Sequence, residues 1–160
     1  MIIHRWILSL TTLLLVGTWQ CGPRTLEPSE ARWRATYRER AGQVTERDLI
    51  LRLPRALARH GFLIENTEVR YRDFHIQTQW RYRQPFPDEA ERGAVEARTR
   101  IRLRAVWVGL AYELHFEAEN AILTPGGEWV SEATTKMFED FARDVLSTIR
   151  HEVTGGIRDF

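Results

Sequence analysis

The stretch RTRIRLRAVWVGLAYELHFEAEN, residues 98–120, constrains this chain more than any other segment. Polar and apolar residues alternate through both halves, the two-residue period of strands with one face buried. Arginines fill one face of the first half; glutamates and a histidine fill one face of the second. Folded as a hairpin, the halves set Arg104 against Glu113, Arg102 against His115, Arg100 against Glu117 and Arg98 against Glu119. On the other face Ile101 then meets Phe116, Leu103 meets Leu114 and Ala105 meets Tyr112. A slip by one residue would turn the arginines into the core, so the faces are strongly specified. Two-residue hairpin turns need positive φ, which Val108 resists. A four-residue loop from Trp107 to Leu110 is therefore expected.

Two further strands and two helices surround this hairpin in the pattern. FLIENTEV (62–69) and FHIQTQWRYR (74–83) read as strands. In the second, Phe74, Ile76, Thr78, Trp80 and Tyr82 share one face, and His75, Gln77, Gln79, Arg81 and Arg83 share the other. The loop QPFPDEAERG follows, with two prolines and a cluster of acids. TERDLILRLPRALARHG (45–61) has Thr45 and Asp48 at capping-box spacing and Gly61 as a stop. It predicts a helix over 46–60 that Pro54, lacking an N–H, kinks or else restarts after a short extended piece. WVSEATTKMFEDFARDVLSTIRHEVTGG (129–156) predicts a long amphipathic helix capped by Ser131 and ended by Gly155 and Gly156. Its apolar stripe is Val130, Thr134, Met137, Phe138, Phe141, Val145, Ile149 and Val153.

The expected fold class is α+β: a two-layer domain with an antiparallel sheet of about four strands. An N-terminal helix and a long C-terminal helix cover one face. Residues 46–156 form this single domain and 157–160 a tail. Residues 21–45 read as a tether with room for a short helix, since PSEARWRATYRERAG offers Ser29 as N-cap and Gly42 as a stop. Arg32, Arg34, Arg38 and Arg40 also alternate there as in a strand. These four arginines are candidate contacts to anionic lipid heads, although Glu30 and Glu39 offset part of the charge and favour a solvated linker helix.

The first 20 residues have a different character. Arg5 and the terminal amine precede an apolar run from Trp6 to about Val16, the layout of a secretory signal. That run is shorter than the roughly 20 residues a permanent membrane helix needs. The chain carries 22 arginines and one lysine, Lys136. Without residues 1–20 its basic and acidic side chains balance at 22 each, because only Arg5 is removed. Such neutrality argues against a nucleic-acid binder, which needs an uncompensated basic face.

Cys21, the only cysteine, stands directly behind the apolar run. Its position resembles the signal of exported bacterial lipoproteins, in which this thiol is acylated and the chain is cleaved before it. The residues ahead of it, Thr18, Trp19 and Gln20, depart from the family's leucine and small residues. Cleavage near Gly17, an uncleaved anchor and a free thiol are the alternatives. A lone cysteine has no intramolecular disulfide partner. In that family an aspartate after the cysteine is the usual inner-membrane retention signal; Gly22 here implies the outer membrane. The helix–sheet–helix layout over about 46–154, with Cys21 ahead of it, resembles the C-subunit lipoprotein of the outer-membrane β-barrel assembly machinery. This implies an accessory envelope scaffold with a protein partner.

His4, His60, His75, His115 and His151 stand in no metal-ligand spacing, and neither a nucleophile elbow nor a phosphate-binding loop is present. His115 lies between Glu113 and Glu117 on one strand face, but the facing arginines account for those acids. No catalytic, metal or cofactor residue is assigned. The expected function is a non-enzymatic envelope lipoprotein, lipid-attached at Cys21, that binds a protein partner. The alternative is a carrier holding an apolar ligand between the C-terminal helix and the sheet, in a cavity lined by Phe74, Trp80, Phe116 and Phe141.

Overall fold

The computed structural model describes residues 36–131 and 134–154. The strands are β1 (Thr36–Val44), β2 (Ile64–Arg70), β3 (Asp73–Thr78), β4 (Arg81–Arg83), β5 (Glu96–Trp107), β6 (Tyr112–Leu123) and β7 (Trp129–Val130). The helices are α1 (Glu46–Leu51), α2 (Leu53–Arg59), α3 (Pro87–Ala90) and α4 (Lys136–Ile149), and α4 widens into a π-turn over Arg150–Thr154. One sheet runs in the order β1-β6-β5-β3-β2, with β4 also pairing β5 and β7 pairing β6. Every pairing is antiparallel.

A sheet of about four strands is therefore a correction: among the described residues there are seven. Each of the three added strands has a physical origin. The first is β1, in the stretch expected as a tether with a short helix. Its partner is the acidic row of β6, with Arg38 opposite Glu117 and Val44 opposite Tyr112. That row is remote in sequence, so nothing local announces the pairing. A bulge at Ala41 lets Gly42 take φ 137°, where an added Cβ would come within 3.2 Å of the Thr154 methyl.

The second is β4, which was expected as a continuation of β3. The β3 register to β5 (Ile76 opposite Leu103) is offset by one residue from that of β4 (Arg81 opposite Thr99). Across the break the Thr78 hydroxyl accepts the Ile101 N–H at 3.0 Å and donates to Gln79 O at 3.1 Å. A one-residue offset exchanges faces. Arg81 and Arg83 thus turn toward the helices, with Arg81 over Phe62 and Phe141, while Tyr82 lies 57% exposed against Trp129. The third, β7, is two residues long and pairs with the end of β6.

The hairpin forms with its faces as expected and its register moved by two. Arg100 is opposite Glu119, Arg102 opposite Glu117, Arg104 opposite His115, and Arg98 opposite Ala121. The four-residue loop is 108–111, not Trp107–Leu110. Gly109 takes φ 96°, Val108 N–H donates to Ala111 O at 2.9 Å, and Trp107 and Tyr112 close the ladder with rings 4.9 Å apart. A shift of two keeps every residue on its face, so alternation alone cannot choose between these registers.

The helices cover one face. Pro54 falls in the first turn of α2 and splits the expected 46–60 helix at Arg52; Thr45 caps α1 through Asp48 N–H at 3.2 Å. Thr135, not Ser131, caps α4 by accepting Phe138 N–H at 3.2 Å. Gly155 and Gly156 lie outside the described residues. Phe138, Ala142, Val145, Leu146, Ile149 and Val153 join Ile101, Leu103, Leu114 and Phe116 in one core, whereas Met137 is 41% exposed. Among the described residues no helix is long and apolar enough to cross a membrane.

Candidate functional site

Among the described residues nothing covers the face of the sheet away from the helices, and it carries a row of cross-strand ion pairs. Even-numbered residues of β5 and odd-numbered residues of β6 point there, because their alternates fill the core. Arg100 Nη2 lies 2.7 Å from Glu119 Oε2, and Arg102 reaches Glu119 at 3.0 Å and Glu117 at 3.5 Å. From β1, Arg38 binds Glu117 at 2.9 Å and Arg40 binds Glu113 at 3.0 Å. Glu117 is thus shared between the strands on its two sides, whereas Glu119 is held from β5 and Glu113 from β1. Arg104, which has His115 opposite, turns to Asp73 at 3.1 Å. The Trp107 backbone N–H and then the Arg104 guanidinium hold the Asp73 carboxyl below the ordinary carboxylate range.

The middle of this face is a groove of about 760 Å³. Arg38, Glu39 and Arg40 wall it on one side and Asn66, Glu68 and Arg70 on the other. Its floor holds His75, Gln77, Arg102, Arg104, His115 and Glu117. Both histidines on this face therefore lie in one concavity. The acids beside them are engaged: Glu113 by Arg40 and by His115 at 3.2 Å, Glu117 by Arg38 and Arg102, Glu68 by Arg70. Hydrogen bonding from Arg70 holds Glu68 below its ordinary value. Catalysis draws on a titratable group displaced by burial or an unmatched charge, and here every acid named faces a cation. Among the described residues no cluster of His, Cys, Asp and Glu has the makings of a metal site.

One end of the same face is aromatic. The Arg98 guanidinium lies 4.5 Å from the Trp80 ring centre and 4.2 Å from that of Trp129. Arg100 stacks on Trp80 at 4.4 Å, and Tyr82 meets Trp129 edge-on at 5.8 Å. This cluster depends on the break before β4, which brings Trp80 and Tyr82 to the open side. The alternation expected over 74–83 did not show it.

A second arginine cluster lies under the sheet. Arg83 uses all five N–H groups: Nε to Thr99 Oγ1, Nη1 to Gln84 O and Glu89 Oε2, Nη2 to Glu89 Oε1 and Asn120 Oδ1. Glu89, 1% exposed, also accepts Asn120 Nδ2 at 2.7 Å and Phe86 N–H at 2.8 Å. Burial by itself would raise the Glu89 carboxyl. The hydrogen bonds from Arg83 and Phe86, with the Arg83 charge, outweigh it and leave the group below its ordinary value. The cluster ties the 84–93 loop to β5 and β6, and the sequence reading missed it, since its members are far apart in the chain.

The residues singled out from sequence fare differently. Cys21, Arg32 and Arg34 lie outside the described residues. Arg38 and Arg40 are strand residues bound to Glu117 and Glu113, not tether residues. The residues proposed to line a carrier cavity are separated. Trp80 is on the open face, whereas Phe74 packs on Tyr112, Phe116 on Tyr37 and Phe141 on Phe62. The space between α4 and the sheet is filled by Phe62, Phe116, Phe138, Leu114 and Ile149, each under 2% exposed. Comparison with known proteins found no matching family model, no matching curated protein and no matching solved structure.

Proposed function

We propose that this protein is a non-enzymatic adaptor of the bacterial cell envelope, lipid-anchored through Cys21, that presents its uncovered sheet face to a protein partner. The concavity of that face carries the reading: a groove of about 760 Å³ between β1 and β2 whose charged floor is already neutralised pair by pair. Cross-strand pairing holds these side chains in fixed positions, which reduces the entropy lost on association. The balanced charge suits a mixed-charge protein surface better than a polyanion. The apolar run Trp6 to Val16 and the single cysteine behind it support export and lipid attachment. The absence of an aspartate after Cys21 favours the outer membrane.

Anchor and binding face are tested separately. Cys21→Ala is expected to move the protein from the membrane to the soluble fraction; an unmodified thiol on the wild-type chain would refute the anchor. For the face, a photo-crosslinking residue at Gln77, on the groove floor, is compared in cells with one at Asp144, exposed on α4. A protein captured from Gln77, lost with Arg102→Glu and absent from Asp144, supports the adaptor. Equal capture from both positions removes it.

A further inference from the structure

Four arginines stand in a row on the open face of β5, and three have acidic partners. Arg100 binds Glu119, Arg102 binds Glu117 and Glu119, and Arg104 binds Asp73. Arg98 is opposite Ala121. Among the described residues its side chain makes no ion pair and no hydrogen bond, its Nε is buried without a partner, and its Nη nitrogens reach the surface. Glu119 is already engaged by Arg100 and Arg102. Glu96, two positions along β5, makes no bond to Arg98.

The side chain is nevertheless fixed. Trp80 and Trp129 stack on it at 4.5 and 4.2 Å. With two indoles against the guanidinium and Nε buried, the Nη groups are left for a ligand, a pair of donors suited to bidentate carboxylate binding. An arginine with frozen rotamers loses little further entropy on binding. Exposed Tyr82 (57%), directly opposite Arg98 across the β4–β5 pair, provides apolar surface for the atoms around such a carboxylate.

We propose that Arg98, stacked on Trp80 and Trp129, is the docking point for a carboxylate from an acidic segment of a protein partner. The proposal rests on the partner-binding reading of this face and names the partner's chemistry: the incoming acid completes the rung that Ala121 leaves empty.

The test uses the full chain carrying Cys21→Ala, titrated with the blocked peptide acetyl-Gly-Glu-Glu-Gly-amide. Its Gln-for-Glu analogue and inorganic phosphate form the other arms. The readouts are the Arg98 Nε–H and the Trp80 and Trp129 indole N–H resonances. Saturable shifts with the acidic peptide, at least tenfold weaker with the analogue and in Arg98→Gln, are expected. Arg98→Lys keeps the charge and loses the fork, so it too should weaken binding; Trp129→Leu serves where Arg98→Gln does not fold. No saturable shift, or equal affinity in a folded Arg98 or Trp129 variant, overturns the site. Phosphate binding as tight as the peptide overturns the carboxylate assignment. If the peptide binds at Arg98 while Gln77 and Asp144 crosslink alike, the docking point stands and the groove reading fails.

Discussion

Arg83 and Arg98 sit on adjacent, hydrogen-bonded strands and point to opposite faces of one sheet. Under the sheet, Arg83 has every N–H matched by an oxygen and shares a carboxylate 1% exposed. On the open face Arg98 has two indoles and, among the described residues, no oxygen partner. The difference follows from access to water. A guanidinium facing the core has no solvent to fall back on, so an unmet donor costs on the order of 1–3 kcal/mol. On the open face water can meet the Nη groups, and stacking alone can hold the side chain. The ion-pair ladder between them is intermediate, half-exposed and shared across strands.

The sharpest break of this comparison is Glu89→Ala, which strands Arg83 beneath the sheet. Removing one member of a buried pair costs about 3–5 kcal/mol, measurable as a lower urea midpoint with an unchanged slope. A loss below about 1 kcal/mol would mean that water reaches Arg83. Acid provides the next test. The folded Glu89 pKa lies below its unfolded value, so its contribution is fully present above that value, about 4.3. It is then lost as pH falls through the folded pKa. The stability gap between wild type and Glu89→Gln should be constant near neutrality and narrow below about pH 4.3; a gap that widens on acidification would reverse the assigned direction.

In the ladder the effects are smaller. Arg100 and Glu119 are 15% and 13% exposed, so Arg100→Glu should cost about 1 kcal/mol. Adding Glu119→Arg should recover part of it, and a double mutant equal to the sum of the singles would show the pair to be idle. The expected partner Glu117 offers a control on register, because Glu117→Arg should rescue Arg100→Glu less well than Glu119→Arg. Arg40 is 56% exposed. Arg40→Ala should change stability by less than about 0.5 kcal/mol at ordinary salt, and by nothing measurable near 1 M.

The amino-acid sequence by itself determined whatever repeats with a local period or depends on one residue's backbone. The faces of β5 and β6, the Phe138, Val145 and Ile149 part of the α4 stripe, the break at Pro54 and the stop at Gly61 belong here: apolar spacing and φ restriction act within a few residues. The candidate groove was legible only in part, as an uncovered charged face holding His75, His115 and the glutamates of β6. Tertiary structure decided the rest. The hairpin register moved by two because alternation is unchanged by an even shift, and the loop at Gly109 with the Trp107–Tyr112 contact chose between the options. Strand β1 formed because a distant row of acids on β6 met its arginines. The break at Gln79 and Trp80 turned Arg83 inward, where Glu89 and Asn120 meet it, and brought Trp80 out to stack on Arg98. Those contacts join segments tens of residues apart, and a pairing made only on folding leaves no period in the chain to read.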